Sequence, residues 1–204
     1  MQVDYYFSVN SPYVYIGSAR VAQMAAQMGA AWRYKPLHFA ALAARMGSKS
    51  MTEADPARRA YFAQDLPRQA ARAGLPILER PDFWPVNSAP ASYAIIAAQS
   101  AVDKGEAGDL HALVAAICAA VWAQGRDIAD SDVIAALMRD CGFDPAIADR
   151  GMFMAADTYA RNVEDAAAAG AFGAPFIVAG EARFWGQDRL ADAAQHLGLK
   201  VSAL

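Results

Sequence analysis

Residues 3–16 read VDYYFSVNSPYVYI, and this stretch decides how the chain begins to fold. Its first half is aromatic and β-branched with apolar residues at alternate positions, which is typical of a β-strand. Ser11 followed by Pro12 is a frequent helix start, because serine caps the first turn and proline suits the first helical position. A strand that leads straight into a helix places the Ser11 hydroxyl at the positive end of that helix, where anions are stabilised. The turn is therefore a candidate anion site, although a helix cap alone would also explain a Ser-Pro pair.

The sequence around this turn predicts a β-α-β opening and a β-β-α closing. The first helix should run to the stop signal Gly29, and residues 31–38 then resemble a second strand. Near the end, residues 175–179 and 182–185 are separated by a short turn that contains glycine, which indicates a β-hairpin. A final helix should begin at Gln187.

A long helical segment separates the two ends. Between residues 39 and 170 the pattern is almost wholly helical, interrupted by glycine and proline. The candidate helices are 56–73, 88–103, 108–124, 130–140 and 145–168. We therefore predict an α/β fold in which residues 1–39 and 171–204 form a sheet domain and residues 40–170 form a large inserted all-helical domain.

Composition argues against several classes of function. The chain has 204 residues, 56% of them hydrophobic, and a formal net charge of −3, and its basic residues form no long run. These features argue against a nucleic-acid surface or a polybasic membrane patch. Cys118 and Cys141 lie far apart and the three histidines are scattered, so neither a disulfide framework nor a metal site is expected. Without a signal peptide or a charge-free apolar window of membrane-spanning length, we expect a soluble, cytoplasmic protein.

A proline at the start of a strand could complete a site with Ser11. Residues 173–176 read GAPF directly before the first strand of the hairpin. A cis peptide bond between Ala174 and Pro175 would free the backbone N–H and C=O of Ala174 to pair with an extended ligand. Proline is also tolerated at the first position of a strand without any function.

The start of the last helix offers a third set of polar groups. Residues 185–189 read WGQDR, and the free N–H groups of a helix start can bind a carboxylate. Asp188 could hold an ammonium group, and Arg189 could hold a carboxylate through a bidentate pair. The alternative is that Gln187 and Asp188 cap the helix and that Arg189 is solvated.

The helical segment adds charged, amide and aromatic candidates. Lys49 and Arg58 lie in polar stretches, Asn87 lies in a Pro-Val-Asn-Ser sequence, and Trp84 lies within a proline-rich connection. Isolated lysines and arginines on helices usually form a solvated face, and Asn87 could simply cap the helix that begins near residue 88. Trp84 could stack on an aromatic ring, or it could pack in the core.

Together these pieces resemble one family over nearly the whole chain. The motifs that carry the resemblance are YYFSVNSPYVYI at residues 5–16, FWPVNS at residues 83–88 and GAFGAPFIVAGEARFWGQDRL at residues 170–190. The chain resembles the 2-hydroxychromene-2-carboxylate isomerases, in the DsbA-like branch of thioredoxin folds that includes the kappa-class glutathione transferases. The resemblance implies a thioredoxin-like sheet domain with a helical insertion, and a homodimer.

The resemblance also implies glutathione as the cofactor and a small aromatic molecule as the substrate. Ser11 would hydrogen-bond the glutathione sulfur and favour its thiolate. The candidate glutathione-binding residues are Arg58, Ala174, Pro175, Gln187, Asp188 and Arg189. The candidate substrate-binding residues are Lys49, Trp84 and Asn87.

The expected reaction is a glutathione-dependent cis-trans isomerisation that yields trans-o-hydroxybenzylidenepyruvate. A transferase that conjugates electrophiles to glutathione would use the same Ser11 turn. A dithiol oxidoreductase is disfavoured, because residues 11–14 read SPYV where a Cys-x-x-Cys motif would stand. A binding module without catalysis is the remaining alternative, and it predicts no thiol-dependent turnover.

Overall fold

A computed structural model describes residues 1–49 and 55–201, and its sheet begins with the predicted β-α-β unit. The elements of this unit are β1 at Val3–Phe7, α1 at Pro12–Met28, a 3₁₀ turn at Gly29–Ala31 and β2 at Trp32–Pro36. β1 and β2 are parallel neighbours. Parallel strands need a crossover connection, and α1 supplies it.

The helical segment is confirmed, with two differences from the predicted boundaries. Its helices are α2 at Phe39–Arg45, α3 at Pro56–Arg72, α4 at Ala89–Asp103, α5 at Leu110–Trp122, α6 at Ser131–Asp140, α7 at Ala146–Arg150 and α8 at Met152–Ala168. α2 was not among the candidate helices. The prediction of one helix over 145–168 is wrong, because the helix is interrupted at Gly151, which separates α7 from α8. Gly151 packs closely on Ala97: an added Cβ would lie 3.2 Å from the Ala97 Cβ. Within the described ranges, no helix is both long and apolar enough to cross a membrane.

The closing β-β-α unit completes a four-stranded mixed sheet. Its elements are β3 at Phe176–Ala179, β4 at Ala182–Trp185, a 3₁₀ turn at Gln187–Arg189 and α9 at Leu190–Leu197. The strand order is β2-β1-β3-β4, and β3 is antiparallel to both of its neighbours. The last α-helix therefore begins three residues after the predicted start, because Gln187–Arg189 first forms a tighter turn.

Apolar side chains pack on both faces of this sheet. Tyr5 and Phe7 of β1 belong to the larger core cluster, together with residues of α1, α4 and α5. Tyr6 points to the opposite face, as the two-residue period of a strand requires, and it packs with Leu42 of α2 and Val163 of α8. Helices from residues 40–170 thus share both cores with the strands, and the division into two domains stays a prediction.

Side chains from the helical segment occupy backbone groups of the edge strand β2. The Tyr34 N–H donates to Oε1 of Gln99 at 2.8 Å, and Nε2 of Gln99 donates back to the Tyr34 carbonyl at 3.2 Å. Nδ2 of Asn162 donates to the Pro36 carbonyl at 2.8 Å. The Trp32 N–H donates to the Gly29 carbonyl.

Candidate functional site

The Ser11 turn joins the carboxyl end of β1 to α1. The Ser11 N–H donates to the Ser8 carbonyl at 2.9 Å, which closes the turn, and the Ser11 carbonyl accepts the first helical hydrogen bond from Val14 at 3.1 Å. Ser11 occupies the N-cap position with extended backbone angles, as predicted, but its side chain makes no capping hydrogen bond. The cap explanation therefore accounts for its position and leaves the hydroxyl available at the positive end of α1.

Strand register brings the proline loop to the same place. Tyr6 pairs with Phe176, so Pro175 lies at the carboxyl end of β1, where the chain turns towards Ser11. The Ala174-Pro175 peptide bond is cis, the state that would leave the Ala174 backbone groups free to pair with an extended ligand. Pro175 is buried and Ala174 is partly exposed.

The glycine before this loop is held under an aromatic ring. A Cβ on Gly173 would lie 2.2 Å from Nε1 of Trp185, so no larger residue fits unless the indole moves. Trp185 is 52% exposed and packs edge-on against Phe172 with the ring centroids 5.0 Å apart. These aromatic rings line the outer side of the loop that contains Ala174.

The turn at Gln187–Arg189 lies at the same end of the strands as Ser11 and the proline loop. The Gly186 N–H donates to the Pro175 carbonyl at 3.0 Å, which ties this turn to the proline loop. Gln187 is buried against α1, where a Cβ on Gly17 would lie 3.3 Å from the Gln187 Cβ. The backbone thus brings three predicted pieces together: Ser11, Ala174-Pro175 and the Gln187 turn.

Asp188 and Arg189 are exposed and paired with each other. The Arg189 guanidinium lies 3.3 Å from Oδ2 of Asp188 and 3.8 Å from Oδ2 of Asp192. A ligand ammonium at Asp188 or a ligand carboxylate at Arg189 would therefore displace only a weak surface ion pair. Their roles in ligand binding stay predictions.

A reciprocal pair of hydrogen bonds fixes the loop at residues 84–87 to the Ser11 turn. Nε1 of Trp84 donates to the Asn10 carbonyl at 2.9 Å, and Nδ2 of Asn10 donates to the Val86 carbonyl at 2.7 Å. The Trp84 ring stacks on Phe62 with centroids 6.4 Å apart, and it also contacts Trp122. Trp84 therefore supports the turn, and its predicted contact with a substrate stays a prediction.

Asn87 is exposed, and its side chain has a local partner. Its Oδ1 accepts a hydrogen bond from the Ala89 N–H at 3.2 Å at the start of α4. This oxygen therefore satisfies one backbone N–H at the start of α4, although Ser88 and not Asn87 occupies the N-cap position. Its place beside the Asn10–Val86 bond brings it near the Ser11 turn, and its substrate contact stays a prediction.

Arg58 lies on the exposed start of α3 and is hydrogen-bonded to Lys49, which precedes that helix. Nη1 of Arg58 donates to the Lys49 carbonyl at 3.3 Å, and the Arg58 N–H donates to the capping carboxylate of Asp55 at 2.9 Å. Arg58 precedes Phe62 by four residues, so the two lie on one face of α3. Because Phe62 stacks on Trp84, this face is directed towards the Ser11 turn. The ligands of Lys49 and Arg58 stay predictions.

Tyr13 and Asp65 are site residues that sequence reasoning missed. The Tyr13 hydroxyl donates to Oδ2 of Asp65 at 2.9 Å, and the Tyr13 ring packs edge-on against Phe62 at 6.0 Å. Burial raises the pKa of Tyr13 well above its ordinary value, and the hydrogen bond to Asp65 raises it further. Tyr13 is therefore a neutral donor committed to Asp65. The available signal was its position two residues after Ser11.

The cysteines of the chain lack the properties of nucleophiles. Cys118 is fully buried, and burial raises the pKa of its thiol to about 12. Burial also raises the pKa of the Cys141 thiol, and the carboxylates of Asp109 and Asp140 add to this shift. Both are protonated at neutral pH, whereas a thiol brought to the Ser11 turn would meet a hydroxyl donor and a helix N-terminus, which lower a thiol pKa.

Comparison with known proteins agrees with this architecture. The family model described as the DSBA-like thioredoxin domain matches residues 2–198. A protein named 2-hydroxychromene-2-carboxylate isomerase from Sphingobium xenophagum is 28% identical to this chain, over 92% of this chain and 93% of that protein. A protein of the same name from Pseudomonas putida is also 28% identical, over 93% of this chain and 91% of that protein. The motif resemblance is thus confirmed by relatives that carry that name.

Solved structures agree as well. The structure of a 2-hydroxychromene-2-carboxylate isomerase superimposes with a TM-score of 0.78 at 24% identity, over 97% of this chain and 95% of that one. A cytosolic disulfide reductase, DsbM from Pseudomonas aeruginosa, solved with GSH, superimposes with a TM-score of 0.66 at 20% identity, over 98% of this chain and all of the other. The predicted fold is confirmed, and the chain belongs to the DSBA-like thioredoxin domain family.

Proposed function

We propose that this protein is a glutathione-dependent isomerase that converts 2-hydroxychromene-2-carboxylate, or a related aromatic ring-cleavage product, to trans-o-hydroxybenzylidenepyruvate. The observation that carries the proposal is the Ser11 hydroxyl, which stands at the N-terminus of α1 without capping it, beside the cis Ala174-Pro175 bond. The names of the two relatives support the reaction, and the GSH in the DsbM structure supports the cofactor.

Ser11 would stabilise a thiolate at this turn. A free thiol has a pKa near 8.5, so only a few per cent of it is ionised at neutral pH. A hydroxyl donor and the positive end of α1 favour the ionised form and raise that fraction. When bound, glutathione supplies a sulfur nucleophile that adds to an electron-poor double bond, permits rotation and leaves again unchanged.

The rest of the cofactor would lie along the sheet edge. Ala174 precedes the first strand pair at Phe176, so its backbone groups can pair with the cysteinyl residue as an added strand would. Gln187 and Asp188 would hold the γ-glutamyl end, with Asp188 next to its ammonium group. Arg58 would bind the glycyl carboxylate.

The aromatic substrate would lie between this edge and the helical segment. Lys49 would attract the substrate carboxylate, and Asn87 would offer its amide to an oxygen atom. Trp84 would present the edge of its ring to the substrate, because one face already stacks on Phe62 and Trp122 also contacts the ring. Arg189 would help to neutralise the carboxylates of the bound molecules.

The test is conversion of 2-hydroxychromene-2-carboxylate, followed by ultraviolet absorbance, with and without glutathione. We expect Ser11→Ala to lower kcat by about 10- to 100-fold, because a hydrogen bond to a charged group is lost. Ser18→Ala is the matched control: it removes a hydroxyl from the same helix, one that donates to the Tyr15 carbonyl at 2.7 Å, and it should leave kcat unchanged. Equal turnover by Ser11→Ala would refute the thiolate role.

The fate of glutathione distinguishes the alternatives in the same assay. An isomerase leaves its concentration constant over many turnovers, whereas a conjugating transferase consumes one molecule per product. A binding module would neither convert 2-hydroxychromene-2-carboxylate nor consume glutathione. Turnover that does not depend on glutathione would refute the proposed cofactor.

A further inference from the structure

The hydrogen bond between Tyr13 and Asp65 connects the reactive turn to α3. Tyr13 lies in the first turn of α1, two residues after Ser11, and its hydroxyl reaches Oδ2 of Asp65 at 2.9 Å. Asp65 also accepts from Nε2 of Gln69 at 3.1 Å, which orients its carboxylate. A partly buried hydrogen bond to a charged acceptor is stronger than one between neutral groups.

The first residues of α3 lie at the surface. Only Leu66 and Ala70 of this helix are buried, and every residue from Asp55 to Tyr61 is exposed. Pro67 lies inside the helix, where it lacks an N–H and removes one helical hydrogen bond. In the half of α3 that precedes Pro67, Leu66 packs in the core. Phe62 and Asp65 contact Tyr13 and Trp84 and also attach this half to the rest of the protein.

That half of the helix carries Arg58, one of the two predicted ligand cations, and Arg58 is hydrogen-bonded to the other, Lys49. Arg58 lies on the same face as Phe62 and Asp65, and its guanidinium donates to the Lys49 carbonyl. Moving the start of α3 would therefore move Arg58 and Lys49 together relative to Ser11.

We propose that Tyr13 and Asp65 are positioning residues: their hydrogen bond holds the first half of α3 over the Ser11 turn and so sets where Arg58 and Lys49 meet the bound molecules. This inference rests on the proposed function for its catalytic consequence. Its structural part, the attachment of α3, stands on the contacts alone.

Hydrogen exchange tests the attachment without any ligand. Tyr13→Phe keeps the ring contact with Phe62 and removes only the hydroxyl. We expect amide exchange in residues 57–66 to become about 5- to 10-fold faster, while exchange in α5 stays unchanged. Tyr15→Phe is the matched control, because it removes from the same helix a hydroxyl that donates to the Pro76 carbonyl, also at 2.9 Å. Unchanged exchange in Tyr13→Phe would overturn the proposal.

A conservative substitution of Asp65 distinguishes the loss of this hydrogen bond from a general loosening of α3. Asp65→Asn retains an oxygen that can accept from Tyr13, so it should keep α3 exchange within about twofold of wild type. Asp65→Ala removes the acceptor and should match Tyr13→Phe. Equal exchange in the two Asp65 variants would overturn the role of the hydrogen bond.

The catalytic consequence is tested with a shorter thiol. γ-Glutamylcysteine lacks the glycyl carboxylate assigned to Arg58. The wild-type enzyme should therefore have a lower KM for glutathione than for γ-glutamylcysteine, and the ratio of the two KM values measures this preference. We expect Tyr13→Phe to reduce this preference about 3- to 10-fold and Tyr15→Phe to retain it. An unchanged preference in Tyr13→Phe would overturn the positioning role. If the wild-type protein does not use glutathione at all, the proposed function fails, while the exchange experiment still decides the attachment of α3.

Discussion

The two sides of the candidate site are built in different ways. On the sheet side, Ser11, Ala174 and Gln187 are placed by strand register and by backbone hydrogen bonds, such as the one from Gly186 to Pro175. On the helical side, the α3 face and the loop at residues 84–87 are placed by side-chain contacts with α1 and its turn. The sheet side should therefore tolerate changes in surface side chains and be sensitive to backbone crowding, whereas single side-chain atoms control the helical side.

Crowding at Gly17 should give the largest effect, because this glycine lies against Leu190 and Gln187 on the sheet side. A Cβ there would lie 2.8 Å from Cδ1 of Leu190 and 3.3 Å from the Cβ of Gln187. We expect Gly17→Val to lower the free energy of unfolding by about 1–3 kcal/mol through overpacking, measured by denaturant titration. Ala26→Val, at an exposed position of α1, controls for placing a β-branched residue in the same helix. A loss equal to that of the control would show that the Gln187 turn is not held by this contact.

Asp188 offers a smaller test of the same side. Asp188→Asn removes the carboxylate assigned to the glutamyl ammonium, and we expect KM for glutathione to rise about 5- to 10-fold while kcat stays unchanged. Asp192→Asn is the matched control, because Asp192 is also an exposed partner of Arg189. If both variants raise KM equally, the effect comes through Arg189 rather than through the ammonium group.

The smallest effect concerns a side-chain contact remote from the site. Nδ1 of His111 lies 3.0 Å from the Tyr34 hydroxyl, and burial lowers the pKa of His111 below its ordinary value of 6.5, although the Asp109 carboxylate opposes this shift. As pH falls below about 6.5, the unfolded chain takes up this proton first, so the native state loses stability. His111→Gln should make the free energy of unfolding less dependent on pH between 7 and 5 than in wild type. Identical pH slopes would contradict this.

The same division explains what could be predicted from the sequence. The strand-turn-helix at Ser11, the proline loop and the last turn are local patterns, and their meeting follows from strand order once the β-α-β and β-β-α units are recognised. The roles of Trp84 and Tyr13 depend on partners 74 and 52 positions away in the chain. No local pattern encodes such partners, so the support that Trp84 and Tyr13 give to the turn could not be predicted from the sequence.

Two helix boundaries were predicted wrongly for a related reason. The break at Gly151 reflects the close approach of Ala97, which lies on another helix. The local pattern around Gly151 reads as continuous helix because its apolar period persists on both sides. The 3₁₀ turn at Gln187–Arg189 likewise packs against Gly17 of α1, which lies far away in the chain.

The edges of the sheet differ in whether they can accept a further strand. Along β2, Gln99 occupies both backbone groups of Tyr34, Asn162 occupies the Pro36 carbonyl, and proline at position 36 has no N–H to offer. An incoming strand would have to displace these side chains, and the amide of Gln99 already imitates the peptide group such a strand would bring. β4 stands at the other end of the strand order, without this covering of amide side chains in the described part of the chain. Among the described residues, an added strand would therefore meet fewer side-chain obstacles at β4 than at β2, so the two edges of this sheet are not equivalent.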